Sequence, residues 1–292
     1  MAIMRVEIND FHVFKGKFTA EFCPGVNVLI GSNGTGKTTL MRCMNNNIRT
    51  MIERDERARK YQAENTNTVV DNPDSISAIY IPEKDILEHA KGLLAFIEQK
   101  KTGFSKVYKS VLIHGIDTCT QEQSEIQRSV REKVAAIIGG EVWYDEISGT
   151  FYTLKADGSR VQFNYEASGY KRFGLLGLLA RNGAFVPHSV LFWDEPENSL
   201  SPELIPKLVD ILLELSRSGV QIFIATHSEL LASYFAVKRK SKDEVMFASL
   251  YKEDGRININ TDARFDWLTP NKLTEEPVKL YERKLDMRLG DE

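Results

Sequence analysis

Short apolar runs broken by polar turns open the chain. Met4–Ile8 and Phe18–Phe22 read as strands, Pro24-Gly25 as a turn, and Val26–Ile30 as a buried strand that runs straight into a glycine-rich loop. A helix is predicted from Thr38 to about Asn46. Residues 53–75 are polar and charged and read as an exposed helix followed by a loop, and Ile76–Ile81 is a further strand stopped by Pro82. Residues 84–138 read as mainly helical. Within them Ile126, Val130, Val134 and Ile137/Ile138 recur at three and four residues, the apolar face of an amphipathic helix. Three period-two segments follow, 141–146, 150–155 and 160–165, separated by Ser148-Gly149 and Asp157-Gly158 as in an antiparallel meander. A helix is predicted over 168–182 and a strand over Ser189–Trp193. Ser201-Pro202 supplies a cap and a first-turn proline for a helix whose core face is Leu204, Leu208, Leu212 and Leu215, with Gly219 ending it. Strands at Val220–Ala225, 245–251 and 256–260 complete the pattern.

Strands alternating with helices predict an α/β fold around a parallel or mixed core sheet, with the meander and the 84–138 helices as attachments. Composition narrows the class. Apolar residues are 42% and charged residues 27% of 292, which excludes a disordered or collagen-like chain. No apolar run is long enough to span a membrane, and the N-terminal residues lack a secretory pattern, so a cytoplasmic protein is expected. Cys23, Cys43 and Cys119 are scattered without metal-ligand spacing. A formal net charge of −3 argues against coating nucleic acid by bulk charge, although a local basic patch stays open.

Gly31-Ser32-Asn33-Gly34-Thr35-Gly36-Lys37-Thr38 matches G-x-x-x-x-G-K-[ST] at every fixed position. Glycines let successive backbone N–H groups curl around a phosphate, and the helix that follows adds partial positive charge. Ser32, Asn33, Gly34, Thr35, Gly36, Lys37, Thr38 and Thr39 are therefore the candidate nucleotide-binding residues. Lys37 is assigned to the β- and γ-phosphates and the Thr38 hydroxyl to Mg²⁺. Val190–Glu195 is an apolar strand ending in two acids. Asp194 is the candidate metal ligand with Thr38, and Glu195 the residue that orients or deprotonates the attacking water. His227, in Ala225-Thr226-His227-Ser228, sits at the tip of the next core strand, at the ligand edge of an α/β sheet, and is the second candidate catalytic residue.

In order and wording these motifs resemble ABC-type ATPases, and more closely the non-transporter branch of SMC, RecF and OLD-like proteins. The P-loop with Asn33, the acid strand Asp194-Glu195-Pro196-Glu197 and the histidine in Thr226-His227-Ser228 carry the resemblance, which runs from the first strand to about residue 260. It implies a single P-loop ATPase domain over 1–292, with a P-loop lobe at 1–83, a helical insertion at 84–140, and the meander, signature, acid strand and histidine at 141–292. It also implies a signature motif acting on the ATP of a partner subunit. Glu166–Arg172 lies at its place: Ser168 fits as hydroxyl donor and helix cap, Gly169 permits close approach, and Lys171 or Arg172 adds charge. Asn198 and Ser199 fall in the D-loop, which crosses the dimer interface. The signature is not the transporters' L-S-G-G-Q, and no Q-loop glutamine is evident near Pro82-Glu83-Lys84. Phe11, His12 and Phe14 are positional candidates for stacking the base, with core packing the favoured reading of the two phenylalanines.

The resemblance implies ATP and Mg²⁺ as cofactors and a homodimer, or a higher homo-oligomer, that closes head to tail around two ATP molecules. The stretch between Lys37 and Ser168 is too short for an SMC-type arm. After His227 no separated acidic cluster of a TOPRIM nuclease appears; Asp262, Asp266, Glu275 and Glu276 read as solvated surface, and Val237–Glu244 as an exposed charged loop. The expected function is an ATP-hydrolysing switch that controls a separately encoded effector protein, as in anti-phage defence pairs. A RecF-like DNA-repair ATPase, a transporter's nucleotide-binding subunit and a non-hydrolysing scaffold are the alternatives. No membrane partner is expected.

Overall fold

The computed structural model describes residues 2–52, 68–70, 77–87, 90, 106–116 and 122–289. In chain order the elements are β1 (Arg5–Phe11), β2 (Phe14–Glu21), β3 (Val26–Ile30), α1 (Lys37–Ile52), β4 (Thr68–Val70), β5 (Ala78–Ile81), α2 (Lys106–Ile116), α3 (Glu125–Ile138), β6 (Gly140–Asp145), β7 (Thr150–Lys155), β8 (Arg160–Gln162), α4 (Ser168–Arg181), β9 (Val190–Asp194), α5 (Ile205–Arg217), β10 (Gln221–Ala225), α6 (Glu229–Lys238), β11 (Val245–Glu253), β12 (Arg256–Asp262) and α7 (Lys272–Leu289). They divide into two compact units, Met1–Ala2 with Ile76–Ile222, and Ile3–Ser75 with Phe223–Glu292.

In the unit that holds β1 to β4, the strands β12, β11, β3 and β10 are neighbours in that order. β3 pairs parallel with β11, and β11 antiparallel with β12, so the sheet is mixed. All five residues of β3 are buried, as its unbroken apolar run predicts. A second sheet, in the order β2-β1-β4, is antiparallel. Its hairpin is longer than the apolar runs at 4–8 and 18–22 suggest: Phe11 pairs with Phe14 across His12-Val13, and a register shift near Asp10 absorbs the tight return.

In the other unit β5 and β9 pair in parallel, and β9 is followed in the sheet by the start of β10. The meander β6-β7-β8 is antiparallel. Its helix α3 begins with a capping box between Ser124 and Gln127 and ends at Gly139 in the left-handed region, φ 69°. Gly174 and Gly177 of α4 exist for proximity: a Cβ at Gly174 would stand 2.8 Å from Val142 Cγ2, and one at Gly177 2.8 Å from Val134 Cγ1. The missing side chains let α4 lie directly on α3 and on the meander.

Several expectations change. The helix after the P-loop runs from 37 to 52, well past Asn46. Within the polar stretch 53–75, Thr68–Val70 is a strand added to the edge of β1; the rest of that stretch lies outside the described residues, as does much of 84–105 and Cys119. The third meander strand stops at Gln162, and Phe163–Tyr165 is a 3-10 turn that buries Phe163. Ser168 is not the cap of its helix. Ala167 occupies that position without a side-chain hydrogen bond, and Ser168 is the first helical residue. Ser201 precedes a 3-10 turn over Pro202–Leu204 and caps nothing with its side chain, because its hydroxyl bonds to the Glu203 carboxylate. Helices α6 and α7 had no counterpart in the sequence pattern. From Glu276 to Arg288 every residue of α7 is exposed. No helix among the described residues is long and apolar enough to cross a membrane.

Candidate functional site

The candidate residues fall into two groups, one in each unit. The loop after β3 bends at three glycines with left-handed backbone: Gly31 (φ 144°), Gly34 (φ 77°) and Gly36 (φ 92°). Two of them are also sterically required. A Cβ on Gly31 would lie 2.2 Å from the Leu250 carbonyl oxygen of β11, and one on Gly36 2.8 Å from Val13 Cγ2 and 2.9 Å from Phe14 Cζ. Gly34 faces open space. The loop is braced from inside: Thr35 Oγ1 donates to the Ser32 carbonyl at 2.8 Å, and buried Lys37 sends its ammonium to the carbonyls of Gly31 (2.7 Å) and Ser32 (3.3 Å). Ser32, Asn33 and Gly34 are exposed, and Thr38 and Thr39 half-buried at the start of α1. An exposed glycine turn ahead of a helix, with a lysine ammonium drawn into it, is the donor set that a nucleotide phosphate takes. Phe14 is fully buried against Phe18, whereas Phe11 is half-buried beside exposed His12.

His227 belongs to the same unit. The Thr226 N–H donates to the Leu29 carbonyl at 3.0 Å, which aligns the tip of β10 with the end of β3 two residues before Gly31. Thr226 Oγ1 accepts from the Ser228 N–H at 2.9 Å, and Ser228 caps α6 by accepting from Leu231 N–H at 3.1 Å. The backbone on both sides of His227 is thus fixed, while the residue itself is exposed.

In the other unit β9 delivers Asp194, only 4% exposed, to the end of a fully buried strand. Tyr80 of β5 donates its hydroxyl to Asp194 Oδ2 at 3.1 Å. Glu195 follows with φ 47°, left-handed although it bears a side chain and precedes Pro196. The chain then turns through Asn198 N–H to Glu195 O (3.1 Å) and Leu200 N–H to Glu197 O (2.9 Å), with Ser199 also left-handed at φ 64°. The signature and D-loop candidates meet here. A Cβ on Gly169 would stand 3.1 Å from the Ser199 carbonyl oxygen and 3.3 Å from Leu200 Cδ2. Ser168 is exposed beside it.

The two basic candidates of the signature point inward. Lys171 is buried and bonds to the Asn164 carbonyl at 3.0 Å. Arg172 is 4% exposed and donates to the carbonyls of Pro82 (3.2 Å) and Glu83, with Asp85 at 3.6 Å. Burial pulls the guanidinium below its ordinary value, while Asp85, Glu83, Glu197 and Glu195 act in the opposite sense. Arg172 therefore clamps the segment after β5 to α4, and its charge is neutralised inside the unit. Neither this clamp nor the Tyr80 contact was read from the sequence. The available signals were a lone polar-tipped aromatic in an aliphatic strand and an arginine on the apolar side of a helix.

Comparison with known proteins gives the family and the fold of the chain. A family model described as "AAA domain, putative AbiEii toxin, Type IV TA system" matches residues 44–233. The L-cystine import ATP-binding protein TcyN of Bacillus subtilis (strain 168) is 23% identical over 239 residues, covering 81% of this chain and 76% of that protein. The histidine/lysine/arginine/ornithine transport ATP-binding protein HisP of Salmonella typhimurium is 25% identical over 235 residues, covering 78% and 81%. Among solved structures, an Smc head bound to the C-winged helix domain of ScpA superposes with a TM-score of 0.57 at 15% identity, over 90% of this chain and 98% of that one. The Smc head with an extended coiled coil from Pyrococcus furiosus gives 0.53 at 12% identity, over 97% and 99%.

Proposed function

Because this chain belongs to the AAA-domain family of the AbiEii type and is a P-loop ATPase of the ABC-like kind, we propose that it is an ATP-operated switch. Two copies close head to tail around two ATP molecules, and the closed state controls a separately encoded effector, a defence role in keeping with the toxin–antitoxin description of the family. The observation that carries this reading is the N-terminus of α4. Its cap makes no side-chain bond, Ser168 is exposed at the first helical position, and Gly169 lies against the D-loop. The free N–H donors of that first turn, with the Ser168 hydroxyl, suit the terminal phosphate of a nucleotide bound by a second copy.

In this reading the backbone of Ser32 to Lys37 wraps the phosphates and the Lys37 ammonium neutralises their charge. Thr38 and Asp194 hold Mg²⁺, which supplies Lewis-acid neutralisation of the phosphate oxygens when bound. Glu195 orients or deprotonates the attacking water, and His227 acts on the terminal phosphate. Catalysis by such a site is mostly positioning and electrostatics, so a single copy, lacking Ser168 and Gly169 of its partner, turns over slowly.

The test is the solution mass of Glu195→Gln with and without Mg·ATP. A doubling of mass with Mg·ATP that disappears in Lys37→Ala and in Ser168→Arg supports the shared site. A mass indifferent to ATP overturns the head-to-tail reading. A second reading, an importer's ATP-binding subunit, is favoured by the names of the curated relatives; stable co-purification with a membrane-embedded partner would establish it in place of the separately encoded effector.

A further inference from the structure

Tyr80 takes no part in the proposed ATP site, yet its hydroxyl meets the carboxylate assigned to the metal. The contact follows from register. In the parallel pair β5–β9, Tyr80 is opposite Phe192, and their rings stack with centroids 6.2 Å apart and planes at 27°. Side chains two residues apart on a strand share a face, so Phe192 and Asp194 point the same way, about 6.6 Å apart along the strand. A tyrosine lying over Phe192 therefore delivers its hydroxyl one pleat forward, to Asp194 Oδ2 at 3.1 Å. Both partners are buried, Tyr80 at 2% and Asp194 at 4% exposure. A phenylalanine would satisfy the stack and the strand equally well. The hydroxyl is the one polar side-chain atom that Ala78–Ile81 carries, and it donates to this carboxylate.

We infer that Tyr80 is a positioning residue for the metal site: by holding Asp194 Oδ2 it fixes the plane of the carboxylate and hence the direction of Oδ1. The inference rests on the assignment of Asp194 to Mg²⁺. A carboxylate whose plane is set before the cation arrives loses less freedom on binding it, which lowers the cation concentration needed without changing the chemistry that follows. Tyr80 touches neither nucleotide nor water in this role.

The experiment titrates Mg²⁺ into the full chain holding a fluorescent, non-hydrolysable ATP analogue, and reads the Mg²⁺ concentration at half-maximal fluorescence change. Mn²⁺ affinity of the same complex, measured by electron paramagnetic resonance, is the second readout. Tyr80→Phe is expected to raise both midpoints by about tenfold, the scale of one hydrogen bond to a charged group. Its Mg²⁺-free affinity for the analogue stays within twofold of the wild type, which also establishes that the variant is folded. In the Tyr80→Phe/Asp194→Asn double variant the midpoints equal those of Asp194→Asn alone, because Tyr80 acts only through that carboxylate. If Asp194→Asn shifts the midpoints and Tyr80→Phe does not, or if the two effects multiply, the positioning role is overturned. If Asp194→Asn itself leaves them unchanged, the metal assignment has failed instead.

Discussion

The turn after β3 and the turn after β9 both leave a buried apolar strand, and both need left-handed backbone. The first places glycine at each such position, Gly31, Gly34 and Gly36; the second places Glu195 and Ser199 there. The difference follows from what each turn presents. A phosphate cradle is made of backbone N–H groups, so side chains only obstruct it and glycine costs nothing chemically. Under the role proposed for Glu195 the turn after β9 has to present a carboxylate and cannot use glycine, so the backbone bears the strain, of order 1–3 kcal/mol per residue. The rest of that unit compensates: buried β9, the Asn198 and Leu200 turn bonds, and the packing of Gly169 beneath Ser199 hold the turn in place.

Substitutions at the left-handed positions can break this contrast. Gly36→Ala meets both a left-handed backbone and the side chains of Val13 and Phe14, and a loss of about 3 kcal/mol is expected in chemical denaturation. Gly34→Ala meets only the backbone penalty, because nothing lies within 4 Å of its Cβ, and costs about 1 kcal/mol. Equal losses at the two glycines would mean that the hairpin tip does not press on the loop. Glu195→Gly runs the other way. Stability rises by about 1 kcal/mol as the strain is relieved, while the ATPase rate falls by a hundredfold or more. A destabilised Glu195→Gly would show that the carboxylate, not the backbone, anchors this turn.

The smallest effect belongs to a control away from both turns. Burial alone would raise the Glu214 carboxyl, but the Lys133 ammonium and the Ser129 hydroxyl at 2.6 Å overcome it and leave the group below its ordinary value. A depressed folded value stabilises the protein above the unfolded pKa and is lost as pH falls through the folded one. Lys133→Met should therefore cost up to about 0.5 kcal/mol at neutral pH, since the pair is partly solvated. That difference should close as the pH of the melts is taken below 4.5.

What could be read in advance was local. The P-loop is contiguous, and its glycines, lysine and threonine are named by one short motif; the acid strand announces itself as Val190–Trp193 running into two carboxylates. Periodicity found α3, α5 and the meander because each has one buried face. It was silent on α6, where apolar residues lie all round a short helix, and on α7, whose exposed surface mixes charge and apolar groups without a stripe. Strand Thr68–Val70 has three residues, too few for any period.

The amino-acid sequence by itself determined the class of the fold, the phosphate loop, the acid pair and the place of the histidine, because each depends on neighbours within a few positions. Only the tertiary structure decided that Ser168 opens its helix rather than caps it. It likewise turned Lys171 and Arg172 inward, set Gly169 under Ser199, and brought the hydroxyl of Tyr80 to Asp194. Those outcomes depend on strand register and on which face of a helix meets a distant segment. Such pairings are settled by the packing of the whole unit rather than by any short window of residues.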